Sequence, residues 1–245
     1  MPALACLALP VAVQGQVVNI ENKRFADDTS RWSANAGFRF LMVENTQRSI
    51  ELGAKGGVQF VHQAHRAFFI TDFSLSRVED NAFTNTGFQH LRYQRALRGP
   101  FTAEGYLQLQ YNKPLRIDAQ VMIGAGPRWV LRDAEHLRLA VGASVLYEHE
   151  EDRVNGLRYD DARSSTYLSV GFKVEPQVQF TSVCYFQPLL GDIGDHRLML
   201  EGQVLVRATR RFAMETRLSL QKDTKVAPAV PRLSCRWENG LVFRW

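Results

Sequence analysis

From Trp32 to the end the chain alternates apolar and polar residues with period two, and no segment carries a convincing helical stripe. The alternation predicts strands over Trp32–Val43, Ser49–Val61, Arg66–Ser76, Thr86–Ala96, Phe101–Tyr111, Leu115–Leu131, Leu137–Glu148, Ser165–Val174, Gln177–Gln187, Arg197–Ala208, Phe212–Gln221 and Leu233–Trp245. That is about twelve strands, an even number of the kind single-chain bacterial barrels use. Most of them exceed the ~9–11 residues that a tilted strand needs to cross a bilayer.

Several segments separate two faces cleanly. In the fifth, Phe101, Ala103, Gly105, Leu107, Leu109 and Tyr111 oppose Thr102, Glu104, Tyr106, Gln108, Gln110 and Asn112. The sixth sets Ile117, Ala119, Val121, Ile123, Ala125, Trp129 and Leu131 against Asp118, Gln120, Gly124, Gly126 and Arg128. The tenth opposes Leu198, Leu200, Val204 and Val206 to Arg197, Glu201, Gln203 and Arg207. A soluble sandwich or lipocalin-like barrel buries the apolar face, whereas a membrane barrel turns it outward. Alternation alone does not choose between them.

Connection lengths favour the membrane. With the N-terminus on the periplasmic side, the periplasmic connections are His62–His65, Leu97–Pro100, Arg132–His136, Glu175–Pro176 and Thr209–Arg211, all short. The longest connections, Arg77–Asn85, His149–Ser164, Pro188–His196 and Lys222–Arg232, have the opposite parity. Two outer connections, Glu44–Arg48 and Asn112–Pro114, are short as well. Short periplasmic turns with longer outer loops are the pattern of outer-membrane barrels. Trp32, Trp129, Trp237, Trp245, Phe101, Tyr111, Tyr147 and Phe212 fall near strand ends, where aromatic rings favour the two interfaces. The last strand ends on Phe243 and Trp245, outward aromatics of the kind the barrel-assembly machinery reads during biogenesis.

Composition bounds the picture without deciding it. The chain has 245 residues, 45% hydrophobic and 22% charged, values that ordinary soluble domains share. The longest apolar stretch, Met1 to Val13, is too short for a spanning helix of roughly 20 residues. A membrane location therefore requires a closed sheet, because lipid leaves no partner for open backbone. Ala3 to Ala12, followed by Val13-Gln14-Gly15, predicts an export signal over 1–15 and a mature start at Gln16, although a basic leader segment is missing and the true start is expected upstream. Gln16–Arg31 then forms a short periplasmic segment, and 32–245 the barrel. Cys184 and Cys235 lie inside strand patterns rather than at disulfide-framework spacing.

The inward face carries charges of both signs: His90, Arg92, Glu104, Asp118, Arg128, Arg138, Glu148, Arg197, Glu201, Arg207, Glu215 and Arg217, with Glu238 and Arg244 on the last strand. Pairing the tenth and eleventh strands around Thr209–Arg211 puts Gln203 opposite Arg217, with Glu201 one diagonal step away, and makes Arg207 and Glu215 diagonal neighbours. These residues are candidate lumen-lining positions, either a solvated, self-paired interior or a selectivity lining with mild anion preference. The outer acids Glu148-His-Glu-Glu-Asp152 and Asp160-Asp161 read as solvated loop carboxylates, and His62-Gln-Ala-His65 lies in a tight turn without a third ligand. Some barrels of this strand count are lipid hydrolases with an outer serine and histidine, but His90 is predicted inward and His196 has no evident serine partner. No catalytic, cofactor-binding or metal-ligating constellation is expected. The net charge of +5 is spread along the chain without a nucleic-acid footprint.

Gln16-Val-Val-Asn-Ile-Glu-Asn-Lys-Arg24, Gly87-Phe-Gln-His-Leu-Arg-Tyr93, Gln108-Leu-Gln-Tyr-Asn112, Gly124-Ala-Gly-Pro-Arg128, Tyr147-Glu-His-Glu-Glu151, Tyr185-Phe-Gln-Pro188 and Asn239-Gly-Leu-Val-Phe243 occur in order along the chain. Together they resemble the Bacteroidetes branch of the salt-induced outer-membrane protein family, a domain-of-unknown-function family. The resemblance implies an outer-membrane barrel and transfers no catalytic or binding residue.

The sequence thus predicts an all-β, antiparallel transmembrane β-barrel of a Gram-negative outer membrane, exported by the general secretory route and bounded by outer-membrane lipid. Its expected role is a narrow passive channel for small hydrophilic solutes or ions, and the alternative is a largely plugged structural barrel for envelope integrity or a scaffold for a partner. Deleting Trp245 is expected to impair membrane insertion, measured as the fraction of protein recovered folded in outer membranes; insertion at the unmodified level refutes the assembly role.

Overall fold

A computed structural model describes residues 31–44, 48–78, 81–113, 117–152, 156–209, 212–226 and 232–243. The expected export signal, 1–15, and the segment after it up to residue 30 lie outside the described residues, as does Trp245. The described residues form twelve strands: β1 Trp32–Glu44, β2 Arg48–His62, β3 His65–Val78, β4 Asn81–Ala96, β5 Phe101–Asn112, β6 Ile117–Asp133, β7 Leu137–Asp152, β8 Leu157–Glu175, β9 Val178–Leu189, β10 Asp192–Arg207, β11 Phe212–Asp223 and β12 Leu233–Phe243. They pair in chain order in a single sheet, each antiparallel to the next. The expected pairing of the last strand with the first lies outside the described ladders. No helix among the described residues is long and apolar enough to cross a membrane.

The two faces of this sheet are inverted relative to a soluble protein. Its buried side chains are mostly polar or charged, among them His90, Arg92, Glu104, Gln108, Gln120, Arg128, Glu148, Arg163, Gln187 and Gln203. Its exposed side chains include Phe38, Leu91, Leu107, Leu109, Ile123, Val145, Leu168, Leu200, Val204, Met214 and Leu218. A sandwich in water hides the second set and solvates the first. An apolar outer band around a polar interior is the arrangement of a transmembrane barrel.

The connections depart from the expected pattern. Three of the four predicted long loops are largely strand: β3 and β4 run to Val78 and from Asn81, β7 and β8 to Asp152 and from Leu157, and β9 and β10 to Leu189 and from Asp192. Only the stretch between Asp223 and Leu233 remains a long connection. In the β7–β8 hairpin, pairing continues without a break from Leu137↔Phe172 to Asp152↔Leu157. Cross-strand polar contacts hold its tip: Tyr147 donates to Asp160 at 2.5 Å, the His149 Nδ1 lies 2.8 Å from the same carboxylate, and Arg158 sits 3.5 Å from Glu151. Beyond the lipid the ladder persists on such pairs and no longer needs an apolar face. The asymmetry between the two ends is therefore one of strand overhang more than of loop length.

Ile117 is a second correction. It was expected outward, but a register shift between Gln110 and Asn112 in the β5–β6 ladder turns it inward opposite Asn112, where it is buried. The interior also takes up Phe68, Met122, Leu146, Val183, Met199 and Leu205 beside its polar groups. At the opposite end the turns are tight; Gln63 adopts φ 52 in the two-residue β2–β3 turn, and Gly99 adopts φ 66 between β4 and β5.

The inverted faces generate a direct test. Replacing the outward Ile123, exposed near the middle of β6, by arginine is expected to destabilise the barrel by about 2–4 kcal/mol, the range for arginine at the bilayer midplane. Urea unfolding from lipid bilayers measures it; a change below ~0.5 kcal/mol, as at a water-exposed surface position, contradicts the membrane orientation.

Candidate functional site

The interior is built in layers. In the middle, Tyr167 of β8 donates its hydroxyl to Glu104 of β5 at 2.6 Å and accepts from Arg128 of β6 at 3.0 Å. Gln94 of β4 donates to the other oxygen of the Glu104 carboxylate. Arg92, also on β4, lies 3.9 Å from Glu104, and its guanidinium sits 5.2 Å from the centre of the Tyr106 ring. Tyr185 of β9 packs against Tyr167 with ring centres 5.3 Å apart. Above Arg92, His90 is fully buried between Gln108 at 3.1 Å and the Arg92 Nε at 3.3 Å. The space left among Arg92, Glu104, Tyr106, Tyr167 and Tyr185 is about 10 Å³, room for a single water.

Glycines make this layer possible. Tyr106 pairs directly with Gly124, and Tyr167 with Gly142, each ring lying across the neighbouring strand where the glycine offers no side chain. A Cβ at either glycine would overlap the ring that covers it.

Towards the hairpin end lies an ionic layer. Arg197 of β10 bridges Glu148 of β7 at 2.6 Å and Asp223 of β11 at 2.8 Å. Arg163 of β8 contacts Asp161 at 2.8 Å, Asp195 at 3.1 Å and Glu148 at 3.9 Å. Gln120 of β6 donates to Glu148 and, at 2.7 Å, to Glu150. Among the described residues this half of the interior sets the carboxylates of Glu148, Glu150, Asp152, Asp161, Asp195 and Asp223 against the guanidiniums of Arg163 and Arg197. The expected anion preference does not describe this end. At the rim, Lys225 bonds Asp192 at 3.1 Å, which holds its ammonium above the ordinary lysine range.

Against β10 and β11 the packing is looser. Arg217 lies 3.0 Å from Glu215 and 3.8 Å from Glu201, and its side chain keeps 31% of its exposure where that of Arg92 keeps 3%. Gln203 stands opposite Arg217 and Glu201 is its diagonal partner, as the hairpin geometry predicts. Arg207, a diagonal neighbour of Glu215 by register, bonds Gln179 and the Pro176 carbonyl.

The sequence-predicted positions distribute over these layers. His90, Arg92, Glu104 and Arg128 meet in the middle, Glu148 and Arg197 in the ionic layer, and Glu201, Arg207, Glu215 and Arg217 along β10–β11. Asp118 pairs with Lys113 near the outer end of β6, and Arg138 pairs with Asp133 at 3.0 Å beside the β6–β7 turn. The side chains of Glu238 and Phe243 lie outside what is described. The outer acids are not loop residues: Glu148 and Asp152 are buried inside the barrel. His65 turns to Tyr93, with its Nδ1 2.5 Å from the hydroxyl, and the described residues hold no cluster of three metal-ligating side chains. His196 contacts the Ile193 carbonyl through its ring.

Arg163, Asp195, Asp223 and Tyr167 are among the members that sequence reasoning missed. The first three lie just beyond predicted strand ends, yet each keeps the inward parity of Ser165, Arg197 and Gln221. Carrying the period of two through the polar ends of the strands would have found them. Tyr167 lay within a predicted strand and was passed over for want of a charge.

Fold and interior together define a transmembrane β-barrel with a largely polar interior. The NanC porin shares the fold, with a TM-score of 0.52 and 10% identity over 86% of this chain and 99% of that one. The β-domain of the Bordetella autotransporter Brka aligns with a TM-score of 0.40 and 12% identity, over 86% of this chain and 97% of that one. No curated protein matches the sequence. Residues 34–245 match the family described as a protein of unknown function, DUF481, and the chain belongs to that family.

Arg197 offers a test of the ionic layer. Arg197→Met leaves Glu148 and Asp223 without their shared cation and is expected to destabilise the barrel by about 3–5 kcal/mol, as removal of one member of a buried pair does. Unfolding midpoints in urea check it, and a midpoint equal to that of the unmodified protein removes the layer from the stability account.

Proposed function

We propose that the protein is an outer-membrane barrel whose lumen is closed at rest, a structural element of the envelope rather than an open porin. The middle layer carries this reading: Arg92, Glu104, Tyr106, Tyr167 and Tyr185 enclose only about 10 Å³, and Arg128 bonds the Tyr167 hydroxyl beside them. The apolar outer band, the even number of strands and the sequence resemblance to the salt-induced branch support the outer membrane as its place. In this reading outer-membrane lipid is the partner of the outer face, and the assembly machinery reads Phe243 and Trp245. No side chain is assigned a chemical step.

A second reading rests on a different observation. The partly exposed Arg217, Glu215 and Glu201 outline a solvated strip along β10–β11, which favours a narrow path for small ions.

Flux into liposomes separates the two. Protein that inserts and shifts its gel migration on boiling is expected to leave potassium and small sugars at the leak rate of protein-free vesicles. A steady ion flux that changes severalfold in Arg217→Ala sinks the closed-barrel reading in favour of the narrow path.

A further inference from the structure

Resting on the closed-lumen reading, we propose that Tyr167 and Glu104 form a side-chain latch, and that releasing it opens a water path while the barrel wall stays intact. The latch borders a cavity that side chains from distant strands enclose. Arg92 of β4 and Tyr185 of β9 border the same cavity, five strands apart in the sheet. The Tyr167 to Glu104 bond itself joins strands three apart, β8 and β5, the same separation as between Arg197 of β10 and Glu148 of β7 in the ionic layer.

The bonds that close the middle layer run between side chains. Tyr167 to Glu104, Arg128 to Tyr167 and Gln94 to Glu104 use no ladder amide or carbonyl, so breaking them leaves the β4–β5, β7–β8 and β8–β9 pairings as they are. The wall behind the latch is low. Gly126, Ala143, Ser144 and Ser165 line the same cavity, and Gly142 lies beneath the Tyr167 ring. Once the large side chains withdraw, little else fills that level on the β6–β8 side. The Tyr167 hydroxyl joins two parts of the layer at once, donating to the carboxylate and accepting from the guanidinium. Its loss removes one donor from Glu104 and one acceptor from Arg128, and water entering the space replaces them.

Single-channel recording of the full chain in a planar bilayer, in potassium chloride, tests the latch. The unmodified protein is expected to be silent. Tyr167→Ala is expected to give steady openings while keeping the heat-shifted gel band that marks a folded barrel. Tyr167→Phe keeps the ring and loses only the hydroxyl, so it is expected to open briefly, with an open probability at least about tenfold above background, the change that one buried hydrogen bond of ordinary worth makes. It carries the test if the alanine variant fails to fold. Thr166→Ala, an exposed neighbour on the same strand, is expected to stay silent. Folded Tyr167→Phe and Glu104→Ala/Tyr167→Ala proteins that both remain silent overturn the latch and leave the closed-lumen reading standing. Steady conductance in the unmodified protein, unchanged by Tyr167→Ala, overturns both.

Discussion

In hydrocarbon no water is available to a backbone amide or carbonyl, and every other feature of this chain follows from that constraint. A sheet meets it only when each strand finds its neighbours, and the described ladders join β1 to β12 in chain order. With the backbone satisfied inside the wall, the outer side chains are free to be apolar and the inner ones to be polar. The period of two then does the sorting, since neighbouring residues on a strand face opposite environments.

The same constraint makes the interior demanding. Charged side chains buried in the interior, such as Arg92, Glu104, Glu148 and Arg163, have left water and must meet partners. Arg163 meets this condition with three carboxylates and Arg197 with two, while the Tyr167 hydroxyl serves a carboxylate and a guanidinium together. Along β10–β11 charge is left partly exposed, and Arg217 keeps 31% of its side-chain exposure. The glycines under Tyr106 and Tyr167 belong to this balance, because they let large rings lie flat on the wall and bring their hydroxyls to polar partners beyond the adjoining strand.

The wall was legible in the sequence because its signal is periodic. The order of the strands, their outward faces in β5 and β10, and the Gln203–Arg217 register all follow from alternation and one tight turn. The strand ends were not legible, because hydropathy marks a strand only while one face meets lipid. Above the lipid, His149, Glu151, Arg158 and Asp160 continue the β7–β8 ladder as polar pairs and read as loop. Arg163, Asp195 and Asp223 fell outside the expected interior for that reason alone. Ile117 was misplaced for another: a register shift leaves no trace in composition, and it exchanges the two faces of every residue beyond it.

Wall and lumen are therefore specified by separate parts of the sequence. The outward residues answer only to lipid and tolerate exchange among apolar types, which is how a porin at 10% identity shares the fold. The inward residues answer to one another across the barrel. Two chains with the same wall can thus hold an open pore or a closed one, depending on a few inward side chains, and likeness of fold says nothing about which. In this chain the inward side chains of the middle layer are bonded to each other over small residues, an arrangement that separates the stability of the wall from the state of the lumen. The proposed latch draws on that separation: Tyr167 and Glu104 are joined through side chains alone, and the backbone pairing of β4 to β9 does not depend on their bond.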